Sequence, residues 1–121
     1  MGYRSDVAFA ISKEAYFKYK TILQRPLTFL HECDTKYTNN TGHYFLTYSV
    51  KWYDSYTDVQ EMVQLMSDIE ADGESDSNML YAFCRIGEDS TDIEISGSTL
   101  HFDLNISQEF YTPDDLDDFT G

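Results

Sequence analysis

His43-Tyr44-Phe45-Leu46-Thr47-Tyr48-Ser49-Val50-Lys51-Trp52-Tyr53 is the stretch that decides the fold class. Tyr44, Leu46, Tyr48, Val50 and Trp52 recur at every second position, with Thr47, Ser49 and Lys51 on the alternate ones. Successive side chains of a strand point to opposite faces, so this alternation predicts a long strand over 43–53 with one buried face. Asn39-Asn40-Thr41-Gly42 precedes it. Asn and Gly tolerate the positive φ of a tight turn, so a hairpin is expected between this strand and one over 32–38.

The same reasoning extends to both sides. Val7, Phe9 and Ile11 alternate with Asp6, Ala8 and Ala10, which reads as a first strand ending near Ser12. Ser12 then suits the cap of a helix over 13–24, whose apolar residues Ala15, Tyr16, Tyr19, Ile22 and Leu23 have helical spacing. Arg25-Pro26 stops it, because the residue before proline is pushed out of the helical region. The piece 27–31 suits one further helical turn. After the long strand, Thr57-Asp58-Val59-Gln60 matches a capping box. Val59, Met62, Val63, Met66 and Ile69 carry the helix to about position 71, with Gly73 to end it. Strands are expected over 79–86, 92–96 and 99–106, separated by turns at Gly87-Glu88-Asp89-Ser90 and Gly97-Ser98.

The order suits an α+β fold: a single antiparallel sheet with two helices on one face, a ferredoxin-like βαββαβ core, and extra C-terminal strands. One sheet face is expected to be buried and one wet. One domain over 1–106 is drawn, followed by an acidic and partly mobile tail over 107–121.

Charge is distributed unevenly. Residues 1–51 hold seven Lys/Arg and four Asp/Glu, whereas 52–121 hold Arg85 alone against eighteen acids, which together make the net charge of −14. A field of this sign repels nucleic acid and anionic lipid and attracts cationic surfaces over about 8–10 Å at physiological salt. The aromatic content of 16% is too high for a disordered acidic protein, so the acids decorate a fold. No apolar stretch approaches the roughly 20 residues of a membrane span. Cys33 and Cys84 lack CxxC spacing and are expected to be reduced, buried thiols in a cytoplasmic protein.

Chemical motifs are sparse. Asp68-Ile69-Glu70-Ala71-Asp72-Gly73-Glu74-Ser75-Asp76 resembles a calcium loop in its alternating acids, but the twelfth position, which needs a bidentate Glu, is Met79. His31, His43 and His101 show no paired metal-ligand spacing. No phosphate loop or nucleophile elbow is present. The expectation is no catalytic residue, no cofactor and no metal. The aromatics Tyr44, Phe45, Tyr48, Trp52, Tyr53 and Tyr56 are expected mostly in the core, because base-stacking surfaces need a basic groove and only Lys51 is near.

What remains is a surface of Asp54, Asp58, Glu61, Asp68, Glu70, Asp72, Glu74, Asp76, Glu88, Asp89, Asp92 and Glu94, with Tyr53 and Tyr56 as exposed anchors beside it. The tail acids add to it. The plain reading is solubility. The sharper reading is a face that binds a positively charged protein, without direct nucleic-acid or membrane contact. Lys13, Lys18 and Lys20 could also meet the acids of a second copy, as a homodimer.

Met1-Gly2-Tyr3-Arg4-Ser5-Asp6-Val7, Tyr48-Ser49-Val50-Lys51-Trp52-Tyr53 with Asp58-Val59-Gln60, and Arg85-Ile86-Gly87-Glu88-Asp89 with Asp92-Ile93-Glu94 resemble segments of small uncharacterised phage and prophage proteins. The resemblance covers about a third of the chain and carries no catalytic signature. It implies a context in which acidic proteins bind and block basic, nucleic-acid-binding host or defence complexes, CRISPR included, by imitating DNA. The alternatives are an immunity protein for a nuclease toxin and a metal- or carboxylate-dependent enzyme.

Overall fold

The computed structural model describes residues 2–106 and 109–121, and it is an α+β structure built on a six-stranded antiparallel sheet. Strand β1 (Ser5–Ser12) lies at its centre. It pairs on one side with β3 (Gly42–Val50) and on the other with β4 (Tyr81–Gly87). Outside β3 lies β2 (Thr35–Thr38), and β5 (Ile93–Gly97) flanks β4. Two short strands, β6 (Asn105–Ile106) and β7 (Phe110–Tyr111), form a separate ladder, so the expected single sheet becomes two. The two-residue strand β8 (Asp117–Asp118) returns to pair with β2, giving the order β5-β4-β1-β3-β2-β8.

The helices differ from expectation in ways the packing explains. Ser12 caps α1 (Lys13–Phe17) through its side-chain oxygen, which accepts the Ala15 N–H at 3.3 Å. The helix widens into a π-helical turn over Lys18–Ile22, and Gln24 leaves it at φ 50°. The expected turn at 27–31 is α2 (Thr28–Glu32), so the next strand starts only at Thr35. Helix α3 (Thr57–Gly73) buries Val59, Met62, Leu65 and Ile69, while Val63 faces solvent. Its capping box does not form: no side chain caps it, and Gln60 donates instead to the Asp54 carbonyl at 3.1 Å. Helices α1, α2 and α3 all contribute to one cluster with Val7, Phe9, Ile11, Phe45 and Phe83.

The other sheet face was expected to be wet, and it is covered. Ala8, Ala10 and Ala82 leave a shallow floor there beside Tyr44, Leu46 and Cys84. Onto it sit Phe102 and Leu104, both fully buried. The predicted strand over 99–106 is therefore wrong in its first half. Those residues form α4 (Thr99–Phe102), closed by Asp103 in the left-handed region, and only Asn105 and Ile106 are extended. The Tyr44 hydroxyl, pushed up to about 12 by burial, donates to the Phe102 carbonyl at 2.6 Å and locks the turn to the sheet.

The long strand is also shorter than its pattern. Ser49 adopts φ 57°, and between Ser5/Val50 and Val7/Thr47 the register slips by one residue. A bulge of this kind reverses which face the following residues point to. Tyr44 and Leu46 accordingly serve the α4 side, whereas Val50 and Trp52 cross to the helical side, where Trp52 stacks edge-on to Phe29 at 5.0 Å.

Candidate functional site

The acids expected to form one open face fall into three groups, and the fold treats each differently. Along α3 the sequence offers no lysine, yet the first helical segment and the residues just after it supply cations from the side. Lys18 pairs with Asp72 at 2.8 Å and Arg25 with Asp68 at 2.8 Å. The Tyr19 hydroxyl also donates to Asp72, and Gln64 to Asp68 at 2.9 Å. These contacts hold both carboxyls below the usual range, through Lys18 then Tyr19 for Asp72 and mainly through Arg25 for Asp68. Glu61 accepts the Thr28 N–H at 3.2 Å, and Glu70 accepts the Tyr81 hydroxyl. The calcium-loop resemblance has no geometric counterpart: Asp68, Glu70 and Asp72 lie within a helix, and two of them are ion-paired. Among the described residues no three ligating side chains converge on a metal-sized space. Asp54 and Glu74 have no side-chain partner among the described residues, Asp58 accepts only the neighbouring Val59 N–H, and Asp76 only the Asn78 N–H.

The second group is a clamp at one end of the sheet. Arg85, 8% exposed, donates to Glu94 at 2.7 Å, to Asp92 at 2.8 Å and to the Ser5 hydroxyl at 2.9 Å. Tyr3 donates to Asp92 at 2.9 Å and accepts the Asp89 N–H at 3.1 Å. The Arg4 N–H donates to Glu88 at 2.8 Å. Behind it, Asp6 accepts the Ser49 N–H and the Arg4 guanidinium donates to the Ser49 carbonyl, each at 2.9 Å, which pins the bulge. Segments 2–7, 48–53 and 85–94 thus meet in space, although 89 residues separate Tyr3 from Asp92. Arg85 lowers the Asp92 carboxyl from its ordinary value, helped by Tyr3. A cleft of about 570 Å³ opens beside the clamp, lined by Gly2, Tyr3, Arg4, Lys51 and Glu88. Tyr53 and Tyr56 pack edge-on at 5.2 Å next to it, and Tyr56 is exposed.

The third group was legible only as tail composition. The end of this segment lies against the outer edge of the sheet: Tyr37 pairs with Asp118 and Thr38 with Asp117. Asn39 donates to Asp115 at 3.1 Å, and the Thr120 N–H to the Thr38 hydroxyl at 3.0 Å. Phe119 enters the helical-side core against Tyr16, His43 and Phe45. Asp117 and Asp118 are left exposed on strand-paired backbone, and a hollow of about 320 Å³ lies beside them. The signal for this was Phe119 itself, an aromatic directly after the acids Asp117 and Asp118.

Both cysteines and His43 are sequestered, whereas His31 and His101 are exposed. Cys33 and Cys84 are unbonded and belong to opposite clusters, and burial raises their thiols to about 12 and about 11. At neutral pH both are therefore protonated and poor nucleophiles. His43 is buried against Tyr16 and Phe119 with its Nδ1 3.0 Å from the Thr38 hydroxyl, and burial, then Lys13 and Lys20, lowers it to about 4. Compared with models of protein families, with curated proteins and with solved structures, the chain matches none.

Proposed function

We propose that this chain is a non-enzymatic, phage-type interaction protein whose acidic surface binds and blocks a basic, nucleic-acid-binding host protein. An anti-defence inhibitor that imitates DNA is the specific form of the proposal. One observation carries it: the negative excess survives internal pairing. Among the described residues the ion pairs take up three of the chain's eight bases and four of its twenty-two acids, so eighteen acids still face five bases. The pairing also changes which acids matter. Asp68, Asp72, Asp92 and Glu94 already have cationic partners and contribute mainly to the fold. The weight moves to Asp54, Asp58, Glu74 and Asp76 around the ends of α3, and to Asp117 and Asp118 on the sheet edge. Carboxylates held on paired backbone lose less freedom on binding than those on a loose tail. A field of one sign also speeds encounter with a basic partner, at a rate that salt suppresses.

The fold reading belongs to the same proposal. The inner order β4-β1-β3-β2 supports a ferredoxin-like core, to which β5, β8 and α4 are additions.

The test has two stages. Tagged protein is used to capture partners from nuclease-treated bacterial lysate, with elution by a salt gradient. The captured partner is then titrated with the wild type and with a variant carrying Asp54→Asn, Asp58→Asn, Asp117→Asn and Asp118→Asn. The proposal expects nucleic acid to compete for the partner and the variant to bind at least about tenfold more weakly, a loss of about 1.4 kcal/mol. Unchanged binding by a folded variant refutes this surface. A captured nuclease toxin would favour the immunity-protein alternative.

A further inference from the structure

We propose that the hollow between the π-helical turn and α2 is a binding site for a small amphipathic carboxylate, one anionic group on an apolar body. This goes beyond the acidic-surface reading and does not depend on it. The hollow arises locally. Gln24 leaves the π turn in the left-handed region, and Pro26 holds the following chain away from the helix, so a space of about 280 Å³ remains. Tyr16, Pro26 and Leu27 supply its apolar walls, and Lys20, Arg25 and His31 its rim.

Its sign is unusual for this molecule. Acids outnumber bases by twenty-two to eight over the chain, yet no Asp or Glu lines this hollow. The rim cations also keep capacity for a ligand. Lys20 lies 5.1 Å from the Tyr16 ring and spends one donor on the Gly121 carbonyl at 2.9 Å, leaving two. Arg25 spends Nη1 on Asp68 and keeps its other donors. Neither ring nitrogen of His31 has a hydrogen-bond partner among the described residues.

Size and field select the ligand class. The volume lies just below the roughly 300–1,000 Å³ common for small-ligand pockets. A polyanion or an acidic protein would feel the repulsion of the whole chain, whereas a monoanion feels chiefly the local rim. An apolar body adds a favourable term chiefly by covering the exposed Pro26 ring.

The experiment is an amide NMR titration of the intact protein at fixed ionic strength, with 4-phenylbutyrate, its neutral counterpart 4-phenylbutanol, and inorganic phosphate as probes. The expected result is saturable shifts confined to residues 16–31, with the carboxylate about tenfold tighter than the alcohol, since charge-assisted hydrogen bonds are about twice as strong as neutral ones. Lys20→Gln and His31→Gln together should bring the carboxylate to the affinity of the alcohol while shifts elsewhere stay native; both side chains are exposed. Several results would overturn the site: no saturation by roughly 10 mM ligand, shifts scattered over the surface, equal affinity for acid and alcohol, or a natively folded double variant that binds like the wild type. Tighter binding of phosphate at the same amides would overturn the carboxylate class.

Discussion

Phe119→Ala removes the side chain that packs the end of the chain into the helical-side core. The ring lies 5.2 Å from His43, 5.3 Å from Phe45 and 6.0 Å from Tyr16, all at steep interplanar angles, and the Lys36 ammonium sits 5.6 Å from its centroid. Truncating a fully buried Phe to Ala costs about 3–5 kcal/mol. Phe119 is half-buried, so roughly half of that applies, and the lost edge-to-face pairs add a little more. The expected loss is about 2–3 kcal/mol. Urea unfolding followed by Trp52 fluorescence reads it, and the slope identifies what moved. A lower midpoint at unchanged slope means that the whole domain lost stability. A shallower slope means that the end of the chain detached and its surface is already exposed in the native state. Either way, hydrogen exchange at Tyr37 and Thr38 should quicken, because β8 covers their edge. A change below about 0.5 kcal/mol, the usual range for surface substitutions, with unaltered exchange in β2 would refute the claim that this ring anchors the segment.

Two further predictions concern the clamp and the buried histidine. A Cβ at Gly87 would stand 2.2 Å from the Tyr3 hydroxyl and 2.4 Å from Asp92 Oδ2, so Gly87→Ala should destabilise by about 1–3 kcal/mol through overpacking. In a Tyr3→Ala background the part of that cost due to Tyr3 should vanish while the Asp92 contact remains, and simple additivity in chemical denaturation would show that Tyr3 and Gly87 do not share the site. His43 titrates near 4 in the folded chain against 6.5 in its unfolded reference, so the unfolded chain takes up the proton first as pH falls. Its contribution is therefore complete above about pH 6.5 and declines toward pH 4, by at most about 3 kcal/mol for a shift of this size. Wild-type stability minus that of His43→Gln should shrink across that window, and a difference flat in pH would contradict the burial of an uncharged ring.

Much of the architecture was legible because its signals are local. Period-two runs marked β1 and β3, the Asn39–Gly42 turn marked the hairpin, and the three-and-four spacing from Val59 to Ile69 marked α3. Ala8 and Ala10 misled, because alanine suits a wet face and a close-packed one equally well, and only Phe102 and Leu104 lying over them settle which applies. Thr99–Phe102 misled in the same manner: four residues carry too little period to separate a strand from a helical turn. Ser49 has nothing in its identity to announce φ 57°; Asp6 and Arg4, more than forty residues away, impose it.

The sequence alone determined an aromatic-rich, acidic α+β chain with its positive charge gathered in the first half, since composition and periodicity need only neighbouring residues. Which acids are neutralised was decided by the tertiary structure. Lys18 reaches Asp72 across 54 positions, Arg25 reaches Asp68 across 43, and Arg85 gathers Asp92 and Glu94 while fixing Ser5 across 80. Electrostatic pairing depends on distances of a few ångströms, and the chain sets those distances only by folding.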